Sequence, residues 1–212
     1  MKNIFHKILF AYSKGCSSYV AQVICKNKKT LDIGCGFGSF LQYDPMNFTG
    51  IEINESAIEY CKKKGFSVLN ASTEKIPVAD ASFERVVALQ VIEHLTPDTA
   101  YAMIREAIRI LKPEGELILS TEFPTNTFWD TFSHVKPYPP KSILKMLAKD
   151  ELGLETFSKF KTLEAKEIYY SGKFHKNKII SLLSQIAANY LDIGKKNYTI
   201  ILKKHVVTPE KI

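Results

Sequence analysis

Short apolar runs alternate with stretches of helical period from residue 30 onward. Thr30–Ile33 reads as a first strand that runs straight into glycines, and Phe48–Ile53 as a second. Glu55–Lys64 carries a helical pattern stopped by Gly65. Phe66–Leu69 and Glu84–Gln90 give a third and a fourth strand. Pro97–Leu111 is an amphipathic helix closed by Pro113 and Gly115, and Glu116–Ser120 is a fifth strand. Strands that alternate with helices predict an α/β fold with a mostly parallel sheet.

After Ser120 the rhythm changes. Thr121–Pro140 is a long loop rich in Pro, Thr, Phe and Trp, and loops of about 20 residues are usually functional or disordered. Ser142–Lys149 then reads as a helix, Leu154–Phe160 as a strand, Ile179–Leu191 as a helix and Asn197–Lys203 as a last strand. No repeat, low-complexity tract or linker divides the 212 residues. A single domain is expected over 1–212, with a helical segment at 1–27, a loop at 121–140 and a helical insertion at 172–192.

Ile4–Tyr12 is apolar but split by His6 and Lys7, which favours an amphipathic helix over a leader peptide. Such a helix could pack on the domain or touch a membrane surface. No segment has the roughly 20 consecutive apolar residues of a membrane span. Cys16, Cys25, Cys35 and Cys61 form no Cys-x-x-Cys pair, so reduced thiols in a cytoplasmic protein are expected and zinc is not. The net charge of +7 is uneven: residues 136–204 carry 14 basic against 6 acidic side chains. That half could attract an acidic substrate, a nucleic acid or an anionic membrane, or be a solvated Lys-rich face.

The most informative stretch is Asp32-Ile33-Gly34-Cys35-Gly36-Phe37-Gly38. Three alternate glycines after a strand turn the chain sharply and leave no side chain between backbone and ligand. The third comes one residue too early for a pyrophosphate loop. Glu52, twenty residues past Asp32, ends the second strand, where a carboxylate can accept both hydroxyl hydrogens of a ribose.

These residues resemble the cofactor loop and ribose-binding acid of the class I S-adenosylmethionine-dependent methyltransferases. Ser72–Pro77 with Asp80–Glu84, Gln90–Leu95 and Leu111–Leu117 continue the resemblance, which covers about residues 28–160. It implies a Rossmann-like three-layer sandwich, a seven-stranded sheet whose last strand is antiparallel, and S-adenosyl-L-homocysteine as product. It further implies cofactor contacts from Asp32, Gly34, Cys35, Gly36, Gly38, Glu52, Ile53, Ser72, Thr73, Leu89 and Gln90. Ser72 stands where many relatives carry an acid toward the adenine amine, and Glu114 where a glycine is common.

Phe128–Pro140 lies past the fifth strand, near the edge where open α/β sheets bind ligands. With the following helix it resembles methyltransferases of surface-polysaccharide and glycolipid pathways. His134 is the candidate general base, because an alcohol is a poor nucleophile until its proton is being removed. Trp129 offers a flat face to an acceptor, and Asp130 and Tyr138 offer polar contacts. Gln90, Glu93 and His94 are similar to the Glu-x-x-Glu-His metal sites of some RNA and quinone-precursor methyltransferases. A neutral amide replaces the first acid, a poorer ligand for Mg²⁺, so no metal is expected and Glu93 and His94 stand as catalytic candidates.

The expected activity is O-methylation of a small hydroxylated acceptor such as a saccharide or glycolipid. Two other readings stand beside it. Tyr169, Tyr170 and Phe174 among lysines favour an RNA or protein substrate. A non-catalytic cofactor-binding subunit is the third, though such a chain has no physical need of the glycine loop and Glu52.

Overall fold

The computed structural model describes residues 16–147, 162–172, 177–191 and 193–205. The expected strand at Leu154–Phe160 and the helix at Ile4–Tyr12 lie outside them.

One seven-stranded sheet organises these residues. Its strands are β1 (Thr30–Ile33), β2 (Phe48–Glu52), β3 (Ser67–Asn70), β4 (Phe83–Leu89), β5 (Leu111–Glu122), β6 (Leu163–Ser171) and β7 (Asn197–Lys204). They lie in the order β3-β2-β1-β4-β5-β7-β6. β1 to β5 pair in parallel, and β7 runs antiparallel to both β5 and β6, the arrangement the family resemblance implied.

The period of two along the central strands sends side chains alternately to two cores. Val86, Ala88, Leu117, Leu119, Ile200 and Leu202 face one side. There they meet Ala100, Met103, Ile104 and Ala107 of the helix Pro97–Ile110. Val87, Ile118 and Ile201 face the other side, against Ile58 and Cys61 of the helix Glu55–Lys63 and Tyr19 and Val20 near the start of the described chain. Each such aliphatic side chain, fully buried, contributes about 1.5–3 kcal/mol. Both helices begin at side-chain caps. Asn54 accepts from the Ala57 amide, and Thr96 accepts from the Thr99 amide just before Pro97.

β6 was not expected from the sequence. Leu163-Glu-Ala-Lys-Glu-Ile-Tyr-Tyr-Ser171 is too charged to show a clean strand alternation, and it forms an edge, where charge is tolerated. The helix Lys178–Tyr190 covers that edge with amides: Gln185 Oε1 accepts from the Gly172 N–H and Asn189 Oδ1 from the Tyr170 N–H. Its inward side is therefore polar or small, and Ile179, Ile180, Leu183, Ile186 and Tyr190 point outward.

The reading of Tyr169 as a surface aromatic for nucleic acid is corrected. Tyr169 is buried, edge-on to Tyr19. Part of the excess charge of the basic half is engaged by groups of the fold itself. Lys166 pairs with buried Glu116 at 2.8 Å, and Lys203 with Glu114 at 2.6 Å. Lys204 donates to the carbonyls of Ile108 and Leu111. Glu114 takes a left-handed φ of +63°, the conformation for which a glycine is usual at this turn.

Gly50 of β2 lies directly under Cys35, and a Cβ there would collide with the Cys35 Sγ and sit 2.8 Å from its Cβ. Gly50→Ala should cost about 1–3 kcal/mol of stability by overpacking. Adding Cys35→Ala should recover part of that loss, because only the sulfur is removed. Chemical denaturation of the two variants checks this, and equal stability of both would contradict the contact.

Candidate active site

The carboxyl ends of β1, β2 and β4 stop side by side and deliver the expected site residues to one edge of the sheet. After Ile33 the chain turns through Gly34, Gly36 and Gly38, all at left-handed φ of +66°, +52° and +76°. A Cβ at Gly34 would stand 2.9 Å from a Val91 methyl, and one at Gly38 would stand 2.7 Å from the Phe66 ring. At Gly36 it would meet nothing within 4 Å, so here the backbone faces open space.

Cys35 fastens this turn to the sheet. Its amide donates to Ile51 O and its carbonyl accepts from the Gly38 amide, both at 3.0 Å, while its thiol packs into the core. Both backbone groups are thus engaged, and Cys35 shapes the loop from below. Glu52 ends β2 with its carboxylate held by three amides: Oε2 accepts from Gly36 at 2.9 Å, and Oε1 from Ile53 and Asn54 at 2.8 and 2.9 Å.

Of the expected cofactor residues, Gly34, Glu52, Ile53, Ser72, Thr73 and Gln90 line one cleft of about 310 Å³. Val91, Leu95 and Thr99, which sequence reasoning missed, complete its wall beside His94. Their only signal was their place just after the fourth strand. A mostly apolar cleft with Glu52 at its rim and the hydroxyls of Ser72, Thr73 and Thr99 suits a nucleoside. Asp32, Cys35, Gly36, Gly38 and Leu89 are not part of this lining. Gln90 makes the bend out of β4 at a left-handed φ of +59°, its amide donating to Ser120 O at 2.7 Å. Strain of that kind in a non-glycine residue costs on the order of 1–3 kcal/mol and tends to collect at functional sites.

The long loop is fastened to the short turn Ile92–His94. The Glu93 carbonyl accepts from the Val135 amide at 2.9 Å, and His94 Nδ1 lies 3.0 Å from Ser133 O. Buried Phe128 anchors the loop from within, and its carbonyl lies 2.6 Å from His134 Nδ1. These contacts stand the two imidazoles together, with ring centroids 5.0 Å apart. Glu93 lies beside them with 0 % exposure, and neither carboxylate oxygen has a hydrogen-bond partner. Burial raises its carboxyl above the ordinary range, opposed more weakly by its own backbone amide, then by Thr121 and the two imidazoles.

Trp129 is 61 % exposed, and Asp130 is exposed beside it. Tyr138, expected as an acceptor contact, lies apart from the cleft that holds Glu52 and His94. It is 8 % exposed, packs in the core and donates its hydroxyl to Leu95 O. The prolines on both sides turn it inward, onto a second cavity of about 400 Å³ lined also by Tyr101, Ile104 and Met146.

Residues 31–119 match the family described as "Methyltransferase domain". The chain is 25% identical over 137 residues to a phthiotriol/phenolphthiotriol dimycocerosates methyltransferase of Mycobacterium ulcerans, covering 60% of this chain and 48% of that protein. It is 26% identical over 116 residues to a fatty-acid O-methyltransferase of Mycolicibacterium smegmatis, covering 50% of this chain and 42% of that one. It thus spans about half the length of either relative. The crystal structure of a SAM dependent methyltransferase from Archaeoglobus fulgidus shares the fold with a TM-score of 0.65 at 18% identity, over 96% of this chain and all of that one.

Asp32 lies beneath the loop at 3 % exposure. Burial, and after it the charge of Glu52, hold its carboxyl well above the ordinary 3.8. A carboxyl that stays protonated in the fold but ionises in the unfolded chain costs stability as pH rises from its ordinary value to its folded one. The protein should lose stability over that window, and Asp32→Asn should flatten the loss. Denaturant midpoints from about pH 4 to 7 test this, and parallel slopes in both proteins would refute it.

Proposed function

We propose, from the premise that residues 31–119 are a Rossmann-like S-adenosylmethionine-dependent methyltransferase domain, that this protein methylates a hydroxyl of a small lipid-like or glycolipid acceptor. The observation that carries the reading is the meeting, at one sheet edge, of the Glu52 rim, the open backbone at Gly36 and the His94–His134 pair.

S-adenosylmethionine supplies a sulfonium methyl group for in-line displacement and leaves as S-adenosylhomocysteine. Glu52 would hold the ribose hydroxyls of the bound cofactor, and Ser72 and Thr73 would meet its base. The glycine turn lets the amino-acid portion lie close to the backbone. Alignment of the acceptor then supplies much of the rate. With each Nδ1 set against a backbone carbonyl, the imidazoles keep Nε2 free to take the proton that the acceptor hydroxyl must lose. His94 lines the cleft and His134 stands behind it. Exposed Trp129 and Asp130 contribute acceptor contact. The names of the two mycobacterial relatives support a lipid acceptor. No helix among the described residues is long and apolar enough to cross a membrane.

A nucleic-acid substrate is less well supported, because Tyr169 is in the core and several lysines of the basic half are engaged. Phosphate contacts would make acceptor binding fall steeply with salt.

Glu52→Ala should weaken S-adenosylmethionine binding by about 1.5–3 kcal/mol, the worth of hydrogen bonds to a charged group. Unchanged affinity by calorimetry in a folded variant would remove Glu52 from the site. His134→Ala should lower turnover by about 10²–10⁴-fold. Cofactor affinity should hold in that variant, since His134 is not in the cleft lining. Full activity on the acceptor would return His134 to a loop-fastening role.

A further inference from the structure

We propose that Glu93, His94 and His134 form a binding site for one borderline divalent transition-metal ion, with Zn²⁺ as the representative, and that its open side faces the acceptor.

The three residues come from two segments forty residues apart, and one ligand atom from each lies within 4.8 Å of the others. A tetrahedral zinc site with bonds of 2.0–2.1 Å has ligand-to-ligand edges of roughly 3.3 Å. The observed spacing is wider than that, and binding of an ion would draw the three ligands together. Two features separate the cluster from a chance gathering of polar groups.

The first is Glu93. An ionised carboxylate buried without a hydrogen-bond partner is among the costliest groups a protein can hold, and it is normally neutralised, paired or bound to metal. Glu93 has no exposure, and neither oxygen has a hydrogen-bond partner. The groups that act on it are its own backbone amide, Thr121, His94, His134 and Tyr198, and none is a fixed cation. A divalent ion would supply the missing countercharge.

The second is the orientation of the imidazoles. His94 Nδ1 is set on Ser133 O and His134 Nδ1 on Phe128 O. Each carbonyl accepts only if Nδ1 carries the hydrogen, and this leaves Nε2 with a free lone pair. A carbonyl behind the distal ring nitrogen is the outer-shell arrangement that fixes ligating histidines.

The donor set decides the class of ion. Two imidazoles and one carboxylate suit Zn²⁺, Fe²⁺, Mn²⁺ or Co²⁺, whereas Mg²⁺ and Ca²⁺ prefer oxygen alone. Gln90 is not needed as a ligand. Because only three side chains contribute, a coordination position stays open, as in catalytic and not structural sites. His94 borders the cleft, so that position faces the acceptor, an assignment that rests on the methyltransferase reading. An acceptor hydroxyl there would be oriented and acidified, its proton leaving to water. The ion would then do the work otherwise given to the imidazoles as bases.

The test uses the whole protein, stripped with a chelator and dialysed. Zn²⁺ titrated against a chromophoric chelator should bind at one equivalent, and excess Mg²⁺ should not displace it. X-ray absorption at the zinc edge should show nitrogen and oxygen neighbours and no sulfur. His94→Ala and His134→Ala should each weaken Zn²⁺ by more than the roughly 10–100-fold of an outer-shell change. Glu93→Gln should do the same, and if it does not fold the two histidine variants carry the test. Absence of stoichiometric Zn²⁺, a sulfur shell, or undiminished binding in the His94→Ala/His134→Ala double variant would overturn the site. Glu52→Ala, which should lose the cofactor, should keep its Zn²⁺. Zinc bound by a protein that methylates nothing would sink the functional reading alone, and methylation by a protein that binds no zinc would sink this proposal alone.

Discussion

Parallel pairing sets Ile33 of β1 level with Ile51 of β2 and with Ala88 of β4, and every group that binds or reacts hangs from that register. Because the three strands end together, the glycine turn, Glu52 and Gln90 leave the sheet at the same height. A slip of one residue would exchange the two cores and send the turns to different depths. The register is defended by packing: Gly50 leaves room for Cys35, and Cys35 in turn fixes the loop through Ile51 O.

The candidate cofactor cleft was legible in part because its signals are local. A strand, three glycines and an acid twenty residues on each impose a backbone requirement that neighbours cannot override. Ser72 and Thr73, which line the same cleft, were expected only through the family resemblance. The acceptor half was legible only in residue type. His134 and Glu93 could each be singled out, yet nothing in their spacing said they would meet. The meeting depends on Val135 reaching back to the Glu93 carbonyl, a contact between irregular segments that have no period to read. The burial of Tyr138 was not legible, because a loop aromatic among prolines reads as exposed, while here it packs into the core and donates to Leu95 O. β6 escaped notice because an edge strand obeys weaker rules of alternation than a central one.

Charge tells a similar story. A count along the chain shows a basic second half, and the fold spends part of that excess on its own carbonyls and carboxylates, around Glu116, Glu114 and the end of the helix Pro97–Ile110. The helix Lys178–Tyr190 inverts expectation in the same way. Its amides serve the backbone of β6, and its aliphatic side chains are left outside. In both places the polar backbone outranks the usual sorting of side chains by hydropathy.

Cys25, Cys35 and Cys61 are free and buried. Burial pushes the Cys25 thiol up to about 12 and the other two upward as well, and only thiolates react with alkylating reagents. These sulfurs are therefore a clock wound into the molecule, silent in the native state and struck when a region opens. Cys25 sits in the core beneath the sheet and keeps the time of deep unfolding. Cys35 sits under the glycine turn, so its labelling would count openings of that turn in addition to the deep unfolding that exposes both.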